Sequence, residues 1–178
     1  MERRRRALGE DDIDTLQSMS NLGTLLLRQG KYAEAQTVLR QAYEKRKVVL
    51  GADHVFTLGT MSQLSSTYER QDRFAEALPL LTELCKPERL RKVKESTQTM
   101  LVARLGRALL RSGKPADAEP VLLQAWERTR ASDRPESDTT RVILSLLAEV
   151  CDRTNRPEAA AKWRAQLASL PSTTRAAD

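Results

Sequence analysis

Few residues in this chain of 178 are of types that carry out chemistry. His54 is the only histidine, and Cys85 and Cys151 are the only cysteines. A zinc site takes about four such ligands at short spacing, so the three scattered positions offer no metal centre. No serine or cysteine has a base partner at a recognisable interval, and no glycine-rich phosphate loop is present. The paired acids Asp11 and Asp12 read as the start of a helix. The sequence therefore supplies no catalytic residues and implies neither a metal nor a cofactor. The two cysteines read as reduced core residues. Arginine stands apart. Arg28, Arg70, Arg111 and Arg153 recur at near-constant spacing. Guanidinium groups grip carboxylates through paired hydrogen bonds, which points to an acidic protein or peptide partner. The recurring four have a simpler reading as well: each closes the last turn of a helix and answers its dipole.

The arginines recur because the chain does. Leu8-Gly9, Thr15-Leu16, Leu22-Gly23, Gly30-Lys31-Tyr32 and Glu34-Ala35 return 42 residues later as Leu50-Gly51, Thr57-Leu58, Leu64-Ser65, Asp72-Arg73-Phe74 and Glu76-Ala77. A third copy follows through Val102, Leu105-Gly106, Gly113-Lys114, Ala118 and Leu122. The fourth runs through Leu144, Leu147-Ala148, Asn155-Arg156 and Ala160. A fixed period of this length marks a stacked array of helical units. Each unit reads as two helices with a short turn between them. In the first, helix A runs from a cap at Asp11 or Asp12 to about Gln29, with Met19, Leu22 and Leu26 as its apolar stripe. Helix B runs from Tyr32 to Val49, with Ala35, Val38, Leu39, Ala42 and Tyr43 inward. Asp53 is expected to cap the second unit. Pro87 should end that unit's helix B near Cys85-Lys86, leaving 86–94 as a separate turn or bent extension. Pro79 and Pro120 fall at the same place just inside helix B.

These readings give an all-α protein with units at about 10–50, 51–95, 96–135 and 136–170. Residues 1–9 read as the tail of a truncated upstream repeat, because Met1–Gly9 overlies 43–51. Residues 171–178 read as a disordered tail. Leu39, Leu81 and Leu122 are answered by Arg164 in the last unit, the polar face expected of a terminal repeat. The net charge of +6 comes from two clusters, the arginines of residues 1–6 and the cations of 86–94. The remaining residues are nearly balanced, and no aromatics interleave with the basic clusters, so nucleic acid is an unlikely partner. No apolar run is long enough to span a membrane and no signal peptide opens the chain, which makes the cytoplasm the expected compartment.

Met19, Leu22, Gly23, Leu26, Ala35, Leu39 and Ala42 carry a pattern that resembles the tetratricopeptide repeat (TPR). The long period and the linker from Leu50 to Leu58, Leu-Gly-x-Asp-His-x-x-Thr-Leu, are similar to the kinesin-light-chain subtype. The resemblance covers about residues 2–169. It implies a right-handed superhelical solenoid of antiparallel helix pairs, about three and a half to four repeats, with helix A lining a concave groove. It also places His54 in a linker where the family commonly has histidine. By the family pattern the groove side carries Gln17, Ser20, Asn21 and Thr24, then Ser62, Gln63, Ser66 and Glu69. Met100, Ala103, Arg104 and Arg107 follow, and Ser145, Glu149 and Asp152 complete it. Ser20, Asn21, Thr24, Ser62, Gln63, Ser66, Arg104 and Arg107 are the expected peptide-binding set. The chain departs from the lysine–asparagine clamp of chaperone-tail binders and from the paired asparagines of cargo-binding light chains, so neither ligand class carries over.

The expected function is a non-catalytic scaffold that binds a peptide or protein segment in that groove. The alternatives are a C-terminal fragment of a larger TPR-containing signalling protein, including the kinase-linked kind, and self-association through an uncapped N-terminal end. Nucleic-acid contact through 86–94 is a weak third.

Overall fold

The computed structural model describes residue 9, residues 11–132 and residues 137–171. Of the expected truncated-repeat tail (1–9), residues 1–8 lie outside the described residues, as do residues 172–178 of the expected disordered tail (171–178). Among the described residues there are nine helices and no strand. None of these helices is long and apolar enough to cross a membrane.

The chain divides into two compact units, Met1–Val93 and Lys94–Asp178. The first holds α1 (Ile13–Arg28), α2 (Tyr32–Val49), α3 (Val55–Glu69), α4 (Phe74–Leu84) and the short α5 (Pro87–Leu90). Here α1 packs on α2, α2 on α3 and α3 on α4, and α1 also meets α3. The second unit holds α6 (Glu95–Arg111), α7 (Pro115–Arg130), α8 (Asp138–Arg153) and α9 (Pro157–Ser169). It repeats the scheme, with α6 on α7, α7 on α8, α8 on α9 and α6 against α8.

Local signals set the ends. Asp12 takes up the amides of Asp14 and Thr15 at the start of α1, at 2.9 and 3.3 Å, which satisfies donors the helix itself leaves orphaned. The cap of α3 is His54 and not Asp53: His54 Nδ1 accepts the amide of Phe56 at 3.2 Å. The Asp53 carboxylate is instead held by Arg89. Ser137 caps α8 in the place His54 takes before α3. The turn inside each hairpin passes through one residue in the left-handed region, at Gly30 (φ 75°), Asp72 (55°), Gly113 (76°) and Asn155 (56°). Glycine enters this region without steric cost, and Asp and Asn tolerate it better than other residues. Gly9 and Gly51, 42 residues apart, share a φ of 91°. The helix before Pro87 stops at Leu84, and α5 is the separate turn expected of the basic segment.

Packing explains the period. A Cβ placed on Gly23 would stand 2.4 Å from Leu39 Cγ, and one on Gly106 2.5 Å from Leu122 Cγ. Those leucines are fully buried, as are Leu81, Ala35, Ala77, Ala118 and Ala160. Small residues on one helix thus admit a leucine from its hairpin partner. Stacking of this kind replaces a central core, since one hairpin cannot bury its apolar face alone. In the second unit Trp126 of α7 meets Trp163 of α9 edge to face, with ring centroids 6.0 Å apart. Cys151 is buried, Cys85 is half-buried, and neither is in a disulfide.

Candidate functional site

The expected groove residues sit in three kinds of environment. Ser20 is buried, and its hydroxyl meets Thr60 Oγ1 at 3.2 Å across the α1–α3 contact. Its hydroxyl is thus engaged in the contact between the two helices. Thr24 donates to the Ser20 carbonyl and accepts Gln63 Nε2 at 2.7 Å. Asn21 is exposed and accepts from Gln17 at 3.0 Å. Ser62 and Ser66 are half-buried, and the Ser66 hydroxyl donates to the Ser62 carbonyl. In the first unit the small polar groups along α1 and α3 thus bond largely to one another.

The second unit differs. Arg104 and Arg107 lie one turn apart on α6 and line a depression of about 210 Å³ with Met100, Ala103, Asp138, Thr139 and Val142. Met100 and Val142 are 40% and 44% exposed there. The depression joins two guanidinium groups to an apolar wall, the combination that receives an acidic side chain next to an aliphatic one.

Of the recurring arginines, Arg28 and Arg153 end α1 and α8, Arg111 ends α6, and Arg70 is the C-cap of α3. All four occupy the helix end at which a cation answers the dipole. Arg111 and Arg153 also converge on Glu149, the latter at 2.8 Å. Arg153 further donates to the Leu110 carbonyl at 3.1 Å, in the last turn of α6. Burial alone would push the Glu149 carboxyl up, but hydrogen bonds and charge from the two arginines outweigh it and hold it below the usual range. These two cations are engaged within the second unit.

The basic 86–94 segment is partly neutralised. Arg89 bonds Asp53 at 2.7 Å and Glu83 at 2.9 Å, Lys86 pairs with Glu83 at 2.8 Å, and Lys92 donates to the Asp53 carbonyl at 3.0 Å. Three of its five cations thus fold back onto α4 and the 50–54 linker, which leaves a poor electrostatic footprint for nucleic acid. Arg164 is exposed and pairs with Asp152, the polar face its position suggested. Among the described residues no group of acidic, histidine or cysteine side chains could hold a metal ion.

One central residue escaped the sequence reading. Arg46, 3% exposed, donates to the Phe56 carbonyl at 3.0 Å, to Thr60 Oγ1 at 2.7 Å and to Gln17 Oε1 at 2.8 Å. It is also 5.5 Å from the Phe56 ring centroid. It ties α2 to both neighbouring A helices.

Hairpins of this size, with a small-residue seam, a left-handed turn and one fixed period, define a class of helix-pair repeat proteins. One tetratricopeptide repeat family model matches residues 15–55 and 57–85, and a second matches 101–124, together more than half the chain. The chain belongs to the tetratricopeptide repeat family. Among solved structures it is similar to a kinesin-light-chain-like protein of Podosopora anserina with nearly identical TPR-like repeats. The match has 18% identity and a TM-score of 0.79, and covers 97% of this chain and 82% of that one. The Q17M form of that protein matches at 18% identity and a TM-score of 0.80, covering 94% and 79%. The MamA RS-1 ArsTM double mutant matches at 15% identity and a TM-score of 0.70, covering 94% and 82%. No curated protein sequence matches the chain.

Proposed function

We propose that the protein is a non-catalytic protein-interaction scaffold of the cytoplasm and that its α6–α8 face receives an acidic peptide segment. The observation that carries this reading is the depression in which Arg104 and Arg107 stand beside the exposed Met100 and Val142. A carboxylate on a guanidinium gains a strong, directional bond, and an adjacent aliphatic residue gains apolar contact. Membership of a family whose members are generally scaffolds supports the coarser part of the proposal. The test is fluorescence anisotropy with labelled peptides that pair glutamates with leucine or valine, against the same peptides carrying glutamine. Arg104→Glu with Arg107→Glu should abolish binding of the acidic peptides and leave the helical circular dichroism intact. Equal binding of the glutamate and glutamine peptides, or binding that persists in the double variant, rejects the site.

Self-association through α1 is the second reading, in which Leu25, 52% exposed, would be the contact and Ile13, 46% exposed, would lie off it. Twelve residues at 100° each put them about 120° apart around the helix, so they form no single stripe. A dimer in light scattering that Leu25→Glu disperses would establish this reading, and a strict monomer at high concentration would end it.

A further inference from the structure

The first unit carries an exposed apolar cluster that its fold does not require. Val48 and Val49 close α2, Val55 and Phe56 open α3, and the 50–54 linker joins them. Val48 is 86% exposed, and the other three lie between 43% and 49%. In the second unit Leu122 answers Leu39 and Thr140 answers Thr57, and the same four positions are Ala131, Ser132, Asp138 and Thr139. At the register 42 residues on they are Leu90, Arg91, Thr97 and Gln98, of which only Leu90 is apolar, and it is buried. Stacking of hairpins therefore does not call for exposed valine and phenylalanine at these places. The Phe56 ring is braced at this end by His54, with centroids 5.3 Å apart, and by the Arg46 guanidinium at 5.5 Å.

Cations gather at the same end. Lys45, Arg46 and Lys47 lie in the last turns of α2. Arg89 bonds the Asp53 carboxylate at 2.7 Å and Lys92 donates to the Asp53 carbonyl at 3.0 Å, which brings the basic segment against the linker. Some of this charge is answered: Lys45 by Asp11, Lys86 by Glu83, and Arg89 by Glu83 and Asp53. Lys47 is 3.9 Å from Glu44, too far for a hydrogen bond. Arg46 is bonded to neutral acceptors, and among the described residues no carboxylate is bonded to Arg91 or Lys92, which are both exposed. The end of the unit thus joins an apolar tip to a positive excess.

The combination selects among partners. Nucleic acid would meet the cations and leave the valines with nothing to bury against. The exposure of Val48 marks a projecting side chain and not a concavity for a peptide. A bilayer with anionic headgroups meets both features, because apolar burial and attraction to negative lipid add in its binding strength.

We propose that this end of the first unit docks on an anionic lipid bilayer, with Val48, Val49, Val55 and Phe56 entering the headgroup layer and Lys47, Arg91 and Lys92 meeting the negative headgroups. The surface lies wholly in the first unit and the acidic-peptide face in the second, so the two readings fail independently.

The test is co-sedimentation of the full chain with vesicles of two parts phosphatidylcholine to one part phosphatidylserine, and with vesicles of phosphatidylcholine alone. Binding should require phosphatidylserine and fall as salt is raised. Arg91→Gln should weaken it about fivefold, the effect of one cation near an anionic surface. Val48→Asp should abolish it, and Val48→Trp should strengthen it, since tryptophan favours the membrane–water interface. Circular dichroism checks that each variant keeps its helices. Leu123→Ser, at an exposed apolar position of α7, should change nothing. Absence of binding to the phosphatidylserine vesicles overturns the proposal, and so does equal binding to both kinds. Binding that a folded Val48→Asp variant retains overturns it too, and its loss on replacing Arg3, Arg4, Arg5 and Arg6 by glutamine would assign the lipid contact to that cluster instead.

Discussion

Arg46 Nη1 donates to Thr60 Oγ1 at 2.7 Å, joining the last turns of α2 to the middle of α3. Among the described residues the buried guanidinium is bonded to neutral acceptors. Burial pushes its pKa down, yet arginine stays charged in proteins. Its contribution is therefore directional bonding offset by the cost of desolvation. Arg46→Ala opens a cavity and strands the Thr60 and Gln17 partners, and should cost about 2–4 kcal/mol. Arg46→Met restores volume without burying charge and should recover at least half of that loss. Urea denaturation of the two variants checks the order.

The Gly23–Leu39 contact gives a second prediction. Any Cβ at Gly23 meets a fully buried leucine at 2.4 Å, closer than real contacts allow. Valine gains little helix propensity over glycine, so the overpacking cost dominates. Gly23→Val should destabilise the protein by about 1–3 kcal/mol, and Gly59→Val, where a Cβ meets nothing within 4 Å, should be near neutral. Equal melting temperatures for the two variants would contradict the seam as described.

The seam was legible in the sequence because the period encodes it. Gly23, Ser65, Gly106 and Ala148 fall at one register, opposite Leu39, Leu81, Leu122 and Arg164. The site was less legible. Glu44-Lys45-Arg46-Lys47 reads as a solvated basic turn, and only helical phase separates Arg46 from its neighbours: it follows Leu39 by seven residues and Ala42 by four, which places it on the inward stripe. Ser20 lies deeper than the family pattern implies, for a related reason. The family pattern marks a helix face, but residues at its edge divide between solvent and the α1–α3 contact, and Thr60 draws Ser20 inward. Asp53 had the right chemistry for a cap, yet Arg89 engages its carboxylate and His54 takes the cap position.

The four left-handed turns predict opposite signs for paired substitutions. Gly30→Ala forces a Cβ into a conformation at φ 75° and should cost about 1 kcal/mol. Asp72→Gly relieves the smaller strain at φ 55°, partly offset by greater freedom of the unfolded chain, and should stabilise by about 0.5 kcal/mol. Thermal melts of both variants decide the matter; a loss of stability in Asp72→Gly would show that the Asp side chain contributes more than the backbone strain costs.

Glu149 ties pH to the stability of the second unit. Its carboxyl is held below its ordinary value in the folded state, where Arg111 and Arg153 outweigh burial. A group with a depressed folded pKa stabilises the fold above its unfolded pKa and loses that contribution as pH falls through the folded value. The side chain is 30% exposed, so solvent screening limits the contribution to about 1 kcal/mol. Glu149→Gln should therefore lower stability at neutral pH by about that amount, and the difference from the parent should shrink as pH falls through the carboxylate range. Raising the salt concentration should narrow the gap at neutral pH as well, since the Arg111 and Arg153 pairs reach solvent. A gap between parent and variant that stays constant from neutral pH to strongly acidic conditions would mean that packing, and not the charge held between the two arginines, sets the role of Glu149.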